Sequence, residues 1–193
     1  RTFKESLQKA IRSMEGDQFG FSSKMGLDLL VPASLNREEA AEQVRKAVRT
    51  PLPDRLWRLA DGMRLGMTNQ ELFALTKIDP WFLEQIREIV EFEPRLVAER
   101  DKLGDSGLQP ELLLEAKQLG FADERLAQLL GVPQSTVRRW RVALSKGPAP
   151  RSVTYKRVDT CAAEFEAHTP YLYSTYEREC EARPTARKKV VIL

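Results

Sequence analysis

One feature of the 193-residue chain constrains its fold more than any other: a pattern that returns after 54 residues. Gly66-Met67 matches Gly120-Phe121. Leu59, Leu72, Leu75 and Ile78 match Leu113, Leu126, Leu129 and Val132, and Leu83 and Ile86 match Val137 and Trp140. Identity between the two stretches is low, yet the apolar positions and the glycine coincide. A shared helical period contributes part of such a match. The pattern predicts two helical subdomains of similar topology, 36–104 and 105–146. Two copies are too few for a solenoid, so they must bury their apolar faces in another way.

Local signals fill in the helices. Leu56, Leu59, Ala60 and Met63 recur at i, i+3, i+4 and i+7, the stripe of an amphipathic helix, with Asp54 placed to cap it. Thr68 and Glu71 have the spacing of a capping box. Asp79-Pro80 reads as a cap followed by proline in the first turn, opening a helix with Phe82, Ile86, Ile89 and Val90 on its apolar side. Upstream, Phe3 to Met14 reads as a helix with Leu7, Ala10 and Ile11 inside and Lys4, Glu5, Lys9 and Arg12 outside. Gly16 and Gly20 break that pattern, and residues 17–35 are expected to be irregular. Asn36 and Glu39 then open a helix with Ala40, Val44, Ala47 and Val48 inside, ended by Pro51 and Pro53. After Gly147-Pro148-Ala149-Pro150 the composition becomes that of a linker. Residues 153–158 are expected to be extended and 159–183 irregular. The predicted class is all-α and multihelical, with an irregular C-terminal linker.

Several functions are excluded early. A hydrophobic share of 42% and a charged share of 31% suit a globular chain, and a net charge of +3 demands no acidic partner for the chain as a whole. No apolar run approaches the roughly 20 residues of a membrane helix. Cys161 and Cys180 have neither disulfide-framework nor metal-ligand spacing, which points to reduced thiols. His168 is the only histidine, and nothing at a telling spacing orients it toward either cysteine for nucleophilic catalysis. There is no glycine-rich phosphate loop. Trp57, Trp81 and Trp140 read as core or interface anchors. The stretch 121–146 resembles a helix-turn-helix, and residues 125–158 hold eight basic and no acidic side chains. A nucleic-acid-binding module centred on 121–146 is therefore the alternative reading. Against it, the first repeat carries Asp79 and Glu84 where the second has Pro133 and Arg138.

The most specific stretch lies outside the helices. Tyr155-Lys156-Arg157-Val158-Asp159-Thr160-Cys161-Ala162-Ala163-Glu164-Phe165, followed by Thr169-Pro170-Tyr171-Leu172-Tyr173-Ser174-Thr175-Tyr176-Glu177, resembles the segment joining the two synthetase halves of the carbamoyl-phosphate synthase large chain. Arg1-Thr2-Phe3-Lys4-Glu5-Ser6-Leu7-Gln8-Lys9-Ala10 is similar to the end of that family's first ATP-grasp unit. Arg55-Leu56-Trp57, Ile78-Asp79-Pro80-Trp81-Phe82-Leu83 and Gly120-Phe121-Ala122-Asp123 resemble its central helical domain. Lys189-Val190-Val191-Ile192-Leu193 is similar to the strand opening the second half. Residues 145–154 do not match closely, which leaves the path of the linker open.

The resemblance implies a division into the end of the first synthetase unit (1–16), an irregular connection (17–35), the two helical subdomains, a linker (147–188) and the start of a strand (189–193). It implies a connecting and oligomerisation domain of a glutamine-hydrolysing, cytoplasmic carbon–nitrogen ligase of arginine and pyrimidine biosynthesis. The parent would use ATP and Mg (or Mn), and none of its ATP- or metal-binding motifs falls within 1–193. No catalytic, cofactor-binding or metal-ligating residue is therefore assigned, and the fragment alone is expected to be non-catalytic. The implied partners are the two synthetase halves, the glutaminase small subunit and a further copy of the chain, without nucleic acid or membrane. Leu27, Leu29, Leu30 and Val31 are candidates for a two-fold contact, because they form an apolar run outside any clear amphipathic helix. Tyr171, Tyr173 and Tyr176 are candidates for packing against the halves.

Overall fold

A computed structural model describes residues 1–14, 16, 18–27, 36–103, 107–146, 153–188 and 190. Among them the elements are α1 (Phe3–Ser13), α2 (Arg37–Arg49), α3 (Arg55–Arg64), α4 (Asn69–Thr76), α5 (Pro80–Val97), α6 (Pro110–Gln118), α7 (Asp123–Leu130) and α8 (Gln134–Lys146). Two short strands follow, β1 (Thr154–Arg157) and β2 (Leu172–Thr175). The molecule is thus mostly helical, as expected. The hairpin is an addition: Tyr155 pairs with Ser174 and Arg157 with Leu172 in an antiparallel ladder. Its second strand falls in a stretch expected to be irregular, because four residues are too few to show a period.

The 54-residue offset reproduces itself in backbone detail. The turn after α3 has Gly66 at φ +95°, and the turn after α6 has Gly120 at φ +94°. Met67 donates to the Gly62 carbonyl at 2.9 Å, and Phe121 donates to the Ala116 carbonyl at 3.0 Å. Both middle helices end on a left-handed residue, Lys77 after α4 and Gly131 after α7, which closes the last turn by donating four residues back. Even a side-chain pair recurs. Arg87 Nε donates to Asn69 Oδ1 at 2.8 Å, and Arg141 Nε donates to Asp123 Oδ2 at 3.0 Å.

The caps follow the sequence in three of four places. Thr68 and Glu71 form the reciprocal box, Asn36 accepts from the Glu39 amide, and Asp79 accepts from the Trp81 amide. Asp54 makes no capping bond; it pairs instead with Arg58 one turn along.

The two repeats share one continuous core. Leu59, Leu72, Leu83 and Ile89 from the first join Leu113, Leu126, Leu129 and Val137 from the second, all essentially without exposure. Two assignments made from periodicity change. Phe82 is 43% exposed, because Leu83, Ile86 and Val90 form the stripe that α5 turns inward. In α1, Glu5 and Gln8 are buried beside Ile11, whereas Ala10 lies outside.

A buried charge cluster sits where the repeats meet. Glu93 of α5 is 2% exposed and accepts from Arg64 of α3 at 2.8 Å and from Arg125 of α7 at 2.6 Å. Arg64 also reaches Asp61 at 3.1 Å and the Phe21 carbonyl. Burial pushes the Asp61 carboxyl above its usual range, against hydrogen bonds from Ser23, the Lys24 amide and Arg64. The segment 18–27 is tied into the same place, since Trp57 donates to the Gly20 carbonyl and Arg125 to Ser22.

Candidate functional site

The site with most built structure is the seam where α1, the turn after α6, and the β hairpin converge. It starts from Gly120. A β-carbon there would lie 2.8 Å from Glu5 Cα, inside any normal contact, so α1 rests directly on the turn's backbone. The left-handed φ and the close approach demand glycine for separate reasons. Gln8 then donates to the Leu119 carbonyl at 2.9 Å, and Arg12 donates to the Gly120 carbonyl at 2.8 Å. These two side chains satisfy carbonyls at the C-terminus of α6 that no helical amide can reach.

The hairpin closes the seam from the other side. Thr175 donates to the buried Glu5 carboxylate at 2.6 Å. Arg1 Nε donates to the Ser174 carbonyl at 3.1 Å, and its guanidinium lies 5.1 Å over the Tyr173 ring. Gln118 of α6 donates to the Tyr176 carbonyl. Residues 1–12 and 173–176, 160 or more positions apart, are thus joined to each other and to the second repeat.

Charge in the seam is satisfied internally. Lys117 Nζ donates to the Phe121 carbonyl at 2.6 Å and to Asp123 at 2.9 Å, and Arg141 also pairs with Asp123. Burial pulls the Lys117 ammonium below its usual range, against the pull of Asp123. Burial pushes the Asp123 carboxyl upward, but Lys117 and Arg141 together outweigh it and hold it below the usual carboxylate range. Burial raises the Tyr176 phenol, which stands beside Arg141. A cleft of about 290 Å³ opens here, lined by Arg1, Glu5, Arg12, Lys117, Asp123 and Tyr176 among others. Its polar groups mostly face one another, an arrangement suited to holding chain segments together.

The candidates named from sequence scatter. Tyr176 lies in the seam and Tyr173 on its edge, whereas Tyr171 is 62% exposed beside the hairpin. Leu27 is 3% exposed and belongs to the buried set; Leu29, Leu30 and Val31 lie outside the described residues. Of the tryptophans, Trp57 is core and Trp81 is 53% exposed. Glu5, Gln8 and Gly120 were missed as partners. The only available signal was the matched glycine itself, which marks a turn but not what lies on it.

Three basic side chains of the run 125–158 are engaged by carboxylates. Arg125 is buried on Glu93, Arg141 is bound to Asp123, and Lys156 is bound to Glu179 and Glu181. Among the described residues, no group of three or more His, Cys, Asp or Glu is placed to hold a metal ion, and no helix is long and apolar enough to cross a membrane.

Comparison with known proteins agrees with this architecture. The family described as carbamoyl-phosphate synthetase large chain, oligomerisation domain, matches residues 1–145. Over all 193 residues the chain is 44% identical to the carbamoyl phosphate synthase large chain of Pseudomonas aeruginosa and 47% identical to that of Myxococcus xanthus, covering 16% of each. It is 44% identical to that of Archaeoglobus fulgidus, covering 17%. The chain therefore spans about a sixth of the length of the curated relatives it matches, and it belongs to the family of carbamoyl-phosphate synthetase large-chain oligomerisation domains.

Proposed function

We propose that the chain works as a rigid connector within a carbamoyl-phosphate synthase large chain, holding two ATP-dependent synthetase halves in fixed relation and supporting subunit assembly. The observation that carries this reading is the seam. Residues 1–12 and 173–176 are 160 or more positions apart in sequence, yet Thr175 donates to the buried Glu5 carboxylate, Arg1 Nε donates to the Ser174 carbonyl, and the Arg1 amino group donates to the Tyr173 hydroxyl. A flexible linker lets its ends wander with the square root of its length, whereas a packed body with joined ends does not. A reaction that hands a labile intermediate from one site to another gains from such fixed geometry.

On this reading ATP and Mg (or Mn) bind in the flanking halves, which use bicarbonate and glutamine-derived ammonia. The compartment is cytoplasmic, the glutaminase small subunit belongs to the same assembly, and the enzyme serves arginine or pyrimidine synthesis. Tyr171 packs against a half, and Leu29, Leu30 and Val31 serve self-association.

The test uses the whole large chain. Glu5→Gln combined with Thr175→Val removes the buried bond with little change in volume. The expected result is more ATP consumed per carbamoyl phosphate formed, while ATP turnover in each half persists. Unchanged coupling in a variant shown to have lost the seam by amide exchange would overturn the reading.

A further inference from the structure

Three aromatic rings form a cluster at the first turns of α1 and α5. Phe3 lies 5.1 Å from Trp81 and 5.3 Å from Phe82, and Trp81 lies 5.0 Å from Phe82, all edge-on or tilted. Trp81 and Phe82 are nonetheless 53% and 43% exposed. Asp79 as cap and Pro80 in the first turn hold that turn in place, so the rings are presented on a fixed backbone.

The second repeat shows that the fold does not require them. At the 54-residue offset, Trp81, Phe82 and Leu83 become Ser135, Thr136 and Val137. Leu83 and Val137 are both fully buried, so the core-facing position stays apolar while the outward pair differs. A three-helix unit of the same backbone folds with serine and threonine there. Two adjacent, half-exposed aromatics on a rigid turn mark a surface that something covers.

We infer that this cluster is the seat on which the synthetase half leading into α1 docks, through an apolar protrusion flanked by basic side chains. The inference rests on the connector reading above. Two observations choose this occupant. Phe3 lies within 1–16, the stretch that the resemblance assigns to the end of that half, and in the relatives about five-sixths of the chain lies outside the matched region. The rim is acidic: Asp79, Glu84 and Glu88 flank the rings on α5, with Lys4 paired to Glu88. A two-fold contact of this face with itself would bring those carboxylates together, which charge opposes. A basic flank from a different part of the chain meets no such penalty.

The experiment is hydroxyl-radical footprinting read by mass spectrometry on the whole large chain and on residues 1–193 alone. The expected result is strong labelling of Trp81 and Phe82 in the shorter chain and several-fold weaker labelling in the whole chain, with buried Trp57 weakly labelled in both. Equal labelling of Trp81 in the two would overturn the inference. So would protection that develops in the shorter chain as its concentration rises, since that assigns the face to a second copy.

A double variant, Trp81→Ser with Phe82→Thr, takes its residues from the second repeat. It is expected to leave the melting temperature of 1–193 nearly unchanged and to raise amide exchange in the preceding synthetase half of the whole chain; exchange unchanged there would also overturn the inference. The connector reading is separately readable. Coupling lost on breaking the Glu5–Thr175 bond, with Trp81 still open in the whole chain, removes the docking inference alone. Coupling unaffected, with Trp81 protected, removes the connector reading alone.

Discussion

Around Gly66, in the first repeat, a β-carbon would meet nothing within 4 Å; around Gly120, in the second, it would strike the backbone of α1. The turns themselves are the same, with matching φ and matching hydrogen bonds. The difference is what rests on them. The first repeat leaves its turn open and carries an acidic, aromatic face on α5. The second has its turn covered by α1, and its equivalent positions, Pro133, Ser135, Thr136, Arg138 and Val142, carry neither a carboxylate nor an aromatic ring. One backbone plan thus serves two tasks, because the core-facing residues set the plan and the outward-facing residues are free to differ.

The largest effect should come from the charge cluster that the repeats share. Glu93→Leu leaves Arg64 and Arg125 facing each other in the interior, and breaking a buried ion pair from one side costs about 3–5 kcal/mol. Chemical denaturation should show a loss of that size. Replacing all three residues by apolar ones of similar volume should recover most of it, and failure to recover would mean that the cluster does more than join the repeats.

Next comes the glycine comparison. Gly66→Ala should cost roughly 1–2 kcal/mol, the penalty for a side chain in left-handed backbone. Gly120→Ala should cost more, because α1 must also move. Faster exchange of the α1 amides in Gly120→Ala, but not in Gly66→Ala, would separate docking from backbone strain. Equal costs would break the comparison.

Asp123 offers a test by pH. Its folded pKa lies below the ordinary value of 3.8, so its contribution is present above that value and is lost as pH falls through the folded one. Asp123→Asn should therefore lower stability at pH 7 by roughly 1.5–3 kcal/mol, the range for hydrogen bonds to charged groups. It should also flatten the acid limb of the stability–pH curve. The equivalent residue in the first repeat is Asn69, already neutral, so Asn69→Ala should leave that limb unchanged.

The smallest effect concerns caps. Thr68→Ala removes a reciprocal capping box, at a cost of about 1 kcal/mol. Its counterpart in the second repeat is Ala122, which makes no capping bond and is buried. There α1 rests on the turn at Gly120 that leads into α7. Deleting α1 should accordingly destabilise α7 more than α4, as read by local amide exchange.

The sequence by itself determined the helical class, the 54-residue offset that relates two helical stretches, and most helix ends. These depend on periodicity, caps and glycine, which act over a few residues and leave local marks. It also carried the family resemblance, through a polar and aromatic tail that helical packing does not need. Only the tertiary structure decided what each face meets. Glu5 reads as an outward residue of an amphipathic helix, yet it is buried against Thr175, some 170 positions away. Phe82 reads as core and stands half exposed, because the first turn of α5 turns Leu83 inward instead. Arg125 reads as part of a basic surface and is buried on Glu93. The two charged reversals each involve a partner distant in sequence. A hydrophobic pattern says how strongly a side chain avoids water, but a buried charge is set by whether another element brings its counterpart within reach.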